Sequence, residues 1–486
     1  MKIPKKMMIS LGTAAAIIFV LAASASAQTD FSLTPYTKAA VPVLKTALTR
    51  LQPNFDDPLV KPEKTHPWTA AFEVTAINIG VWLWDRYVAN KDYSHISWKS
   101  IKYNFTHGFI WDNDSLSLGF FGHPYQGSSF FNAARSMGLT FWESIPYAAG
   151  GYLMWGFIFE NDQPSYNDLI MTTLGGAFLG ETFYRISSLI LDDIARGGNT
   201  IWGEILAALV DPVRGANRLF QGEDGRAQDE NKKLREPMGG TLAFGDKIVS
   251  QQFNLSNTQS GVGGDFEFFY GDVASPKSSF RSPFSLIVWD SGLRRAQGQT
   301  YYDVESFAFI AGKQMETSNG LQHLFGLFQS YEFLKNEIVS TAGTALTGGV
   351  VSLFPLGKGM SVKTSVQAGL QFGGSDNPYV HLENRDFNYG WGGIGKAETW
   401  LDFAGFGQLD LRFRYSQLFS VDRGIYESNE SHDFLTHFLA RYDLPVAAGL
   451  GLRVEYSTYG RHLNFEYHPS LKLQWSQLGA SLVWMF

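Results

Sequence analysis

The chain has 486 residues, with 39 Lys and Arg against 46 Asp and Glu, and only 17% of its residues are charged while 15% are aromatic. That balance suits contact with an apolar solvent, and the acidic excess excludes an electrostatic nucleic-acid binder. With no cysteine, disulfides, thiolate metal sites, cysteine nucleophiles and lipid attachment to an N-terminal cysteine are excluded.

Lys2, Lys5 and Lys6 precede an apolar run over residues 7–23, and Ala25-Ser26-Ala27 follows. This order is that of a secretory signal peptide over 1–27, cleaved after Ala27. Residues 28–66 are polar and carry Pro35, Pro42, Pro53, Pro58 and Pro62. They read as a linker with a short amphipathic helix near 36–51. From 67 to 222 the pattern is helical and apolar, with helices expected at 68–90, 96–107, 129–137, 140–159, 166–193 and 199–209. Glu143, Asn167, Asp168, Glu181 and Arg185 interrupt the longest of them. A clean membrane-spanning helix would halt export. A helical domain lying against the bilayer or filling a barrel mouth is expected instead.

Three sets of residues in this region bear on chemistry. His123, Ser128 and Asn132 bring together the groups of a Ser–His–Asn hydrolase. They lie outside any Gly-x-Ser-x-Gly elbow, and the competing reading is a turn at Pro124 and Gly127 with Ser128 or Ser129 capping the next helix. A polar patch is expected from Glu160, Asp168, Glu181 and Arg185, with Glu181 and Arg185 spaced for an ion pair along one helix face. Gly175, Gly176 and Gly180 would let that helix pack closely. Arg214 and Arg218, after Asp211-Pro212, suit either a bound phosphate or carboxylate or a clamp onto the start of the next domain. His107, Asp112, Asp114, His123, Glu160 and Asp168 are possible metal donors without the spacing of a known metal motif. No metal and no cofactor is expected.

Several segments carry a resemblance. They include Trp82-Leu83-Trp84-Asp85-Arg86-Tyr87, His107-Gly108-Phe109-Ile110-Trp111-Asp112-Asn113-Asp114, His123-Pro124-Tyr125-Gln126-Gly127-Ser128, Phe131-Asn132-Ala133-Ala134-Arg135-Ser136, Pro164-Ser165-Tyr166-Asn167-Asp168 and Asp211-Pro212-Val213-Arg214-Gly215-Ala216-Asn217-Arg218. Over residues 77–222 the chain resembles the bacterial envelope family called domain of unknown function 3943. The resemblance implies an envelope location and a helical region beside a barrel, and implies no reaction. Glu160, Ser165, Asp168, Gly176 and Gly180 also resemble the pattern of VanZ-like membrane proteins.

From residue 239 the period changes to two. Leu409, Leu411, Phe413 and Tyr415 alternate with Asp410, Arg412, Arg414 and Ser416, and Leu450, Leu452, Val454 and Tyr456 alternate with Gly451, Arg453, Glu455 and Ser457. Such strands have one apolar and one charged face. Their recurrence in segments of about 9–13 residues fits tilted membrane-crossing strands. The last of them puts Leu478, Ala480, Leu482, Trp484 and Phe486 on one face. It resembles the terminal strand that the barrel-insertion machinery recognises in bacterial outer-membrane proteins, which implies that machinery as a partner through Phe486. Turns are expected at Gly405-Phe406-Gly407, Asp422-Arg423-Gly424 and Tyr459-Gly460-Arg461, and longer loops at Asn377-Pro378 and 427–431. Asp410, Arg412, Arg414, Arg453, Glu455, Asp303, Glu305 and Glu267 should point inward and fill a narrow lumen.

The expected fold is therefore α+β: an N-terminal helical domain over 67–222, then an antiparallel transmembrane β-barrel of about 12 strands over 239–486, with about 14 as the alternative. An outer-membrane location in contact with membrane lipid follows. Two functions fit, a non-enzymatic envelope scaffold or lipid-handling protein, or an outer-membrane hydrolase of phospholipid or lipopolysaccharide.

Overall fold

A computed structural model describes residues 65–111, 115–195, 200–221, 238–251, 258–273, 280, 282–317, 320–377, 379, 387–420, 431–466 and 468–486. The expected signal peptide, nearly all of the linker with its helix, Asp112-Asn113-Asp114, the turn at Asp422-Arg423-Gly424 and residues 427–430 lie outside the described residues.

The helical region contains α1 (Pro67–Tyr87), α2 (Trp98–His107), α3 (His123–Ser136), α4 (Phe141–Met154), α5 (Tyr166–Ile170), α6 (Gly176–Ala195), α7 (Thr200–Val210) and α8 (Pro212–Gln221). Their starts are set by local hydrogen bonding. Thr140 and Glu143 form a reciprocal capping box ahead of α4, and Ser97 with Ser100 does the same for α2. Three single π-helical turns, Leu118–Gly122, Trp155–Phe159 and Met171–Gly175, adjoin α3, α4 and α6.

Two expectations fail here. The Pro124–Ser129 stretch is helix, not a turn and cap: Pro124 stands in the first turn of α3, just after the π-turn, and the Phe120 carbonyl four residues before it accepts the Tyr331 hydroxyl in place of the N–H that Pro124 lacks. Gly127 is needed for packing, since a Cβ there would lie 1.9 Å from the Thr172 carbonyl oxygen, and Gly176, one turn after Thr172, meets it at the same crossing, where a Cβ would lie 2.7 Å from the Gly127 Cα. The residues after Asp211-Pro212 also form a helix, α8, whose Arg214 N–H donates to the Asp211 carboxylate at 3.0 Å.

The barrel has twelve antiparallel strands: β1 (Met238–Gln251), β2 (Thr258–Tyr270), β3 (Ile287–Ala296), β4 (Gln299–Glu316), β5 (Gln322–Lys335), β6 (Ser340–Gly357), β7 (Met360–Asp376), β8 (Phe387–Phe403), β9 (Gln408–Ser420), β10 (Ser431–Ala447), β11 (Leu450–Phe465) and β12 (Leu471–Met485). Each pairs with its neighbours in sequence, and β1 pairs with β12, so the sheet closes. Closure satisfies the edge groups that an open sheet would leave bare in lipid. Phe486 seals the seam, exchanging backbone hydrogen bonds with Gly240 at 3.0 and 3.1 Å.

The strands are 10–18 residues long, so several outrun the expected length. Tyr459-Gly460-Arg461 is not a turn but lies within β11. There Gly460 pairs with Thr436 and Gln474, and Arg461 turns inward onto Asp433 at 2.8 Å. The alternation that includes Tyr459 and Arg461 overrides the glycine. Gly405 and Gly407 do make the β8–β9 turn, both with positive φ.

The charged face points inward, as expected. Arg412 and Arg441 share Glu267 and Asp290, Arg453 bridges Glu267 and Asp443, and Lys247 joins Asp265 to Glu455. Arg414 and Lys396 converge on Glu332. Among these side chains remains a cavity of about 40 Å³ lined by residues including Asp303, Glu305 and His437. Small-molecule sites usually need ~300 Å³ or more. A charged, filled interior with an apolar outside defines an outer-membrane-type barrel.

Candidate functional site

The helical region sits on the outside of the barrel, on the face opposite to the ion pairs. One core cluster unites Phe120, Phe131, Met171, Phe178 and Ile186 of the helical region with Phe266, Phe268, Tyr270, Ile287, Tyr331, Phe372 and Tyr389 of the barrel. The covered strand positions follow a single hydrogen-bonding row. Leu242, Phe266, Ser291, Val304, Phe333, Ala342, Gly374 and Tyr389 are successive partners from β1 to β8. Because barrel strands tilt ~35–45° from the axis, this row climbs obliquely around the wall. Gly374 permits the closest approach, since a Cβ there would lie 2.9 Å from the Phe120 ring.

Polar groups pin this contact at several points. The Tyr331 hydroxyl donates to the Phe120 carbonyl oxygen at 2.5 Å, and the Gln329 amide donates to Leu174 O at 2.8 Å. The Asn167 amide donates to the Tyr389 hydroxyl at 2.8 Å. Arg185 donates to Tyr270 at 3.3 Å and to the Pro283 carbonyl oxygen at 2.6 Å.

The expected site residues fall into separate groups. His123, the first residue of α3, places Nε2 3.3 Å from Asp168, and both are buried. Tyr152 packs edge-on to His123 and receives the Ser165 N–H at 2.6 Å. Burial, then the charge of Asp168 and more weakly that of Glu160, raises the Tyr152 phenol above its ordinary pKa. Glu160 follows the π-turn at Trp155–Phe159, and its carbonyl accepts from Asn104 at 3.1 Å. π-Turns flank this group on both sides, just before His123 and just after Ile170, a placement frequent at functional sites.

Ser128 is buried and donates its hydroxyl to the Tyr125 carbonyl one turn back at 2.6 Å. Asn132 hydrogen-bonds Asp211 instead. The three candidate catalytic residues thus face three different partners.

Glu181 and Arg185 form the expected ion pair at 3.0 Å, completed by Arg135, which grips Glu181 with two nitrogens at 2.7 and 3.1 Å. Burial pulls the Arg135 pKa down most strongly, but the adjacent Glu181 carboxylate and the Tyr184 phenol together outweigh it and hold it above the usual value. Arg214 stacks on Tyr184 and bonds Tyr184 O and Ser187, both at 2.9 Å, and Ser188. Arg218 pairs with Glu204 at 2.6 Å. These two arginines clamp α8 onto α6 and α7 within the helical region, not onto the start of the barrel. Asp211 beneath them is pushed up to about 6, chiefly by burial and against the Arg214 N–H and guanidinium.

Among the described residues, no three His, Asp or Glu side chains come together as a metal-binding group. Residues that sequence reasoning missed are Arg135, which completes the Glu181 pair, and Tyr270, Tyr331 and Tyr389, which receive the helices. Their outward strand parity marks them as apolar-facing, and nothing in the periodicity says that helices cover them.

Residues 108–213 match the model of the family described as Domain of unknown function (DUF3943). That span contains the His123–Asp168 and Arg135–Glu181–Arg185 groups. No curated protein matches this chain. Among solved structures, the chain is similar to OmpT, an outer membrane protein of Vibrio cholerae, at 10% identity, 51% coverage of this chain, 97% of that one and a TM-score of 0.19. It is also similar to a TodX monoaromatic hydrocarbon channel mutant at 8% identity, 51% and 89% coverage and a TM-score of 0.19. A third likeness is to Pseudomonas aeruginosa OpdQ at 9% identity, 52% and 99% coverage and a TM-score of 0.18. At these values the likenesses add nothing to the barrel assignment, which rests on sheet closure and the two-faced strands.

Proposed function

We propose that the protein is a non-enzymatic outer-membrane scaffold that handles membrane lipid through the helical region on its outer wall. The observation that carries this reading is the placement of that region across eight strands of the lipid-facing wall, beside a lumen filled by ion pairs. In this reading Glu181, Arg185, Arg214 and Arg218 keep the scaffold rigid through their internal pairs and hydrogen bonds, and Glu160 and Asp168 are the polar groups that would hold a lipid head group. Export through residues 1–27 and insertion through recognition of Phe486 belong to the same reading.

The hydrolase reading is favoured by one feature, the buried His123–Asp168 pair at 3.3 Å, with Ser128 and Asn132 as the remaining candidates. Acyl-ester release from phospholipid by the detergent-purified protein separates the two. The scaffold reading expects no release above a protein-free blank and phospholipid that stays bound through a delipidating wash. Release that disappears in Ser128→Ala and His123→Ala would overturn it, as would protein that retains no lipid.

A further inference from the structure

The helical region turns a second apolar surface away from the barrel. On α1, Trp68, Phe72, Ile79, Leu83 and Tyr87 recur at helical spacing and are all exposed, Trp68 by 87% and Phe72 by 72%. On α7, Ile201, Ile205 and Leu209 do the same. The acidic residues of these two helices lie off the stripes, and Arg86 stands on the stripe face at the C-terminal end of α1. Glu73 accepts from Asn217, Asp85 is buried and bonded to Tyr93, and Glu204 pairs with Arg218. Rows of exposed large apolar side chains are costly in water and mark contact with another apolar phase.

The neighbouring barrel wall says which phase. Phe372 and Leu370 stand two residues apart on the same outer face of β7. Phe372 is 1% exposed beneath the helices and Leu370 is 71% exposed beyond them. The open wall at Leu370 therefore borders the helical region directly, which begins at Phe372. Among the described residues, no helix is long and apolar enough to cross a membrane, so the barrel, not a spanning helix, holds this unit at its depth. The corner between α1 and α2 has interfacial chemistry: in sequence, Arg86, Lys91, Lys99 and Lys102 outnumber the one exposed acid, Asp92, and alternate with the exposed rings of Tyr87 and Trp98. Basic and aromatic side chains together favour the phosphate level of a bilayer.

We infer that the helical region is itself immersed in the bilayer, with phospholipid acyl chains covering the α1 and α7 stripes and the α1–α2 corner at the phosphate groups. This rests on the outer-membrane reading and names its occupant, bilayer phospholipid reaching the helical region sideways through the membrane plane.

The cysteine-free chain allows single-site nitroxide labelling of the full protein in phosphatidylethanolamine–phosphatidylglycerol vesicles. The variants are Phe72→Cys, Ile205→Cys and Lys102→Cys, with Leu370→Cys as the bare-wall control and Lys358→Cys as the turn control. Heat-modifiable migration checks folding of each. Phe72→Cys and Ile205→Cys are expected to match Leu370→Cys in collision with oxygen. Collision with a water-soluble nickel chelate should be reduced several-fold relative to Lys358→Cys, and Lys102→Cys should lie at the phosphate depth. Nickel-accessible labels at 72 and 205 with a lipid-exposed Leu370→Cys would overturn the inference alone. Protection from both reagents would also overturn it, because a protein partner or second copy would then cover the stripe. A nickel-accessible Leu370→Cys would bring down the membrane reading itself.

Discussion

The wall formed by β1–β8 and the wall formed by β9–β12 obey the same two-residue period, yet they meet different surroundings. On the second wall Leu452, Val454, Leu478 and Leu482 face outward and stay open, Leu482 by 69%. On the first, the outward positions include Tyr270, Tyr331, Gln329 and Tyr389, all buried beneath helices and all hydrogen-bonded across the contact. A lipid-facing position asks only for an apolar side chain. A covered one must also match a shape and satisfy a partner, because a buried unpaired polar group costs roughly 1–3 kcal/mol. Substitutions should therefore be costly under the helices and mild on the bare wall.

The largest effect is expected at the buried ion triplet. Glu181→Ala leaves Arg135 and Arg185 without their shared carboxylate, which should cost about 3–5 kcal/mol. Limited proteolysis should show the helical region opened, while heat-modifiable migration of the barrel stays intact. Leu482→Ala on the bare wall should change neither.

Asp211→Asn tests whether the covering region titrates apart from the barrel. A carboxyl whose pKa rises from 3.8 to about 6 on folding supports the folded state fully below pH 3.8, and that support is lost as pH rises through 6. The variant should match the wild type near pH 4 and exceed it above pH 6, by up to roughly 3 kcal/mol at ~1.4 kcal/mol per pKa unit. Protease resistance of the helical region against pH is the readout, and a pH-independent difference would refute the assignment.

Two glycines sharpen the contrast within one wall. Gly374→Val should cost about 1–3 kcal/mol by driving a side chain into the Phe120 ring. Gly348→Val, also outward-facing but with nothing within 4 Å of its Cβ, should be near neutral in the same thermal unfolding experiment. The smallest effect is expected from Tyr389→Phe. It removes the acceptor of the Asn167 amide, worth about 1 kcal/mol, whereas Tyr415→Phe on β9 should have none.

The barrel was readable because two-residue alternation reports directly which face is charged. Arg412, Arg453, Glu267 and Glu455 all turn inward as the pattern requires. The helices were readable from their apolar spacing, and the Gly176 crossing from its run of small residues. What periodicity could not convey is what lies on the far side of an apolar face. Phe372 and Leu370 look alike in sequence, although one meets a helix and the other remains open. The polar groups were legible in the same partial way. Glu181 and Arg185 are neighbours on one helix, so spacing finds them, whereas Arg135 and Tyr270 reach them only through tertiary packing. Ser128 and His123 are close in sequence, but the helix turns them toward Tyr125 and Asp168.

Docking of the helices on the outer wall is tested most directly by cross-linking. In intact outer membranes, a Leu174→Cys/Gln329→Cys pair would be treated with a short bifunctional thiol reagent, beside a Leu174→Cys/Leu478→Cys pair that reaches toward the bare wall. Efficient linkage of the first pair and none of the second is the expected result. Linkage of the second pair, or a Gln329→Cys that reacts singly and never bridges to Leu174→Cys, would contradict it.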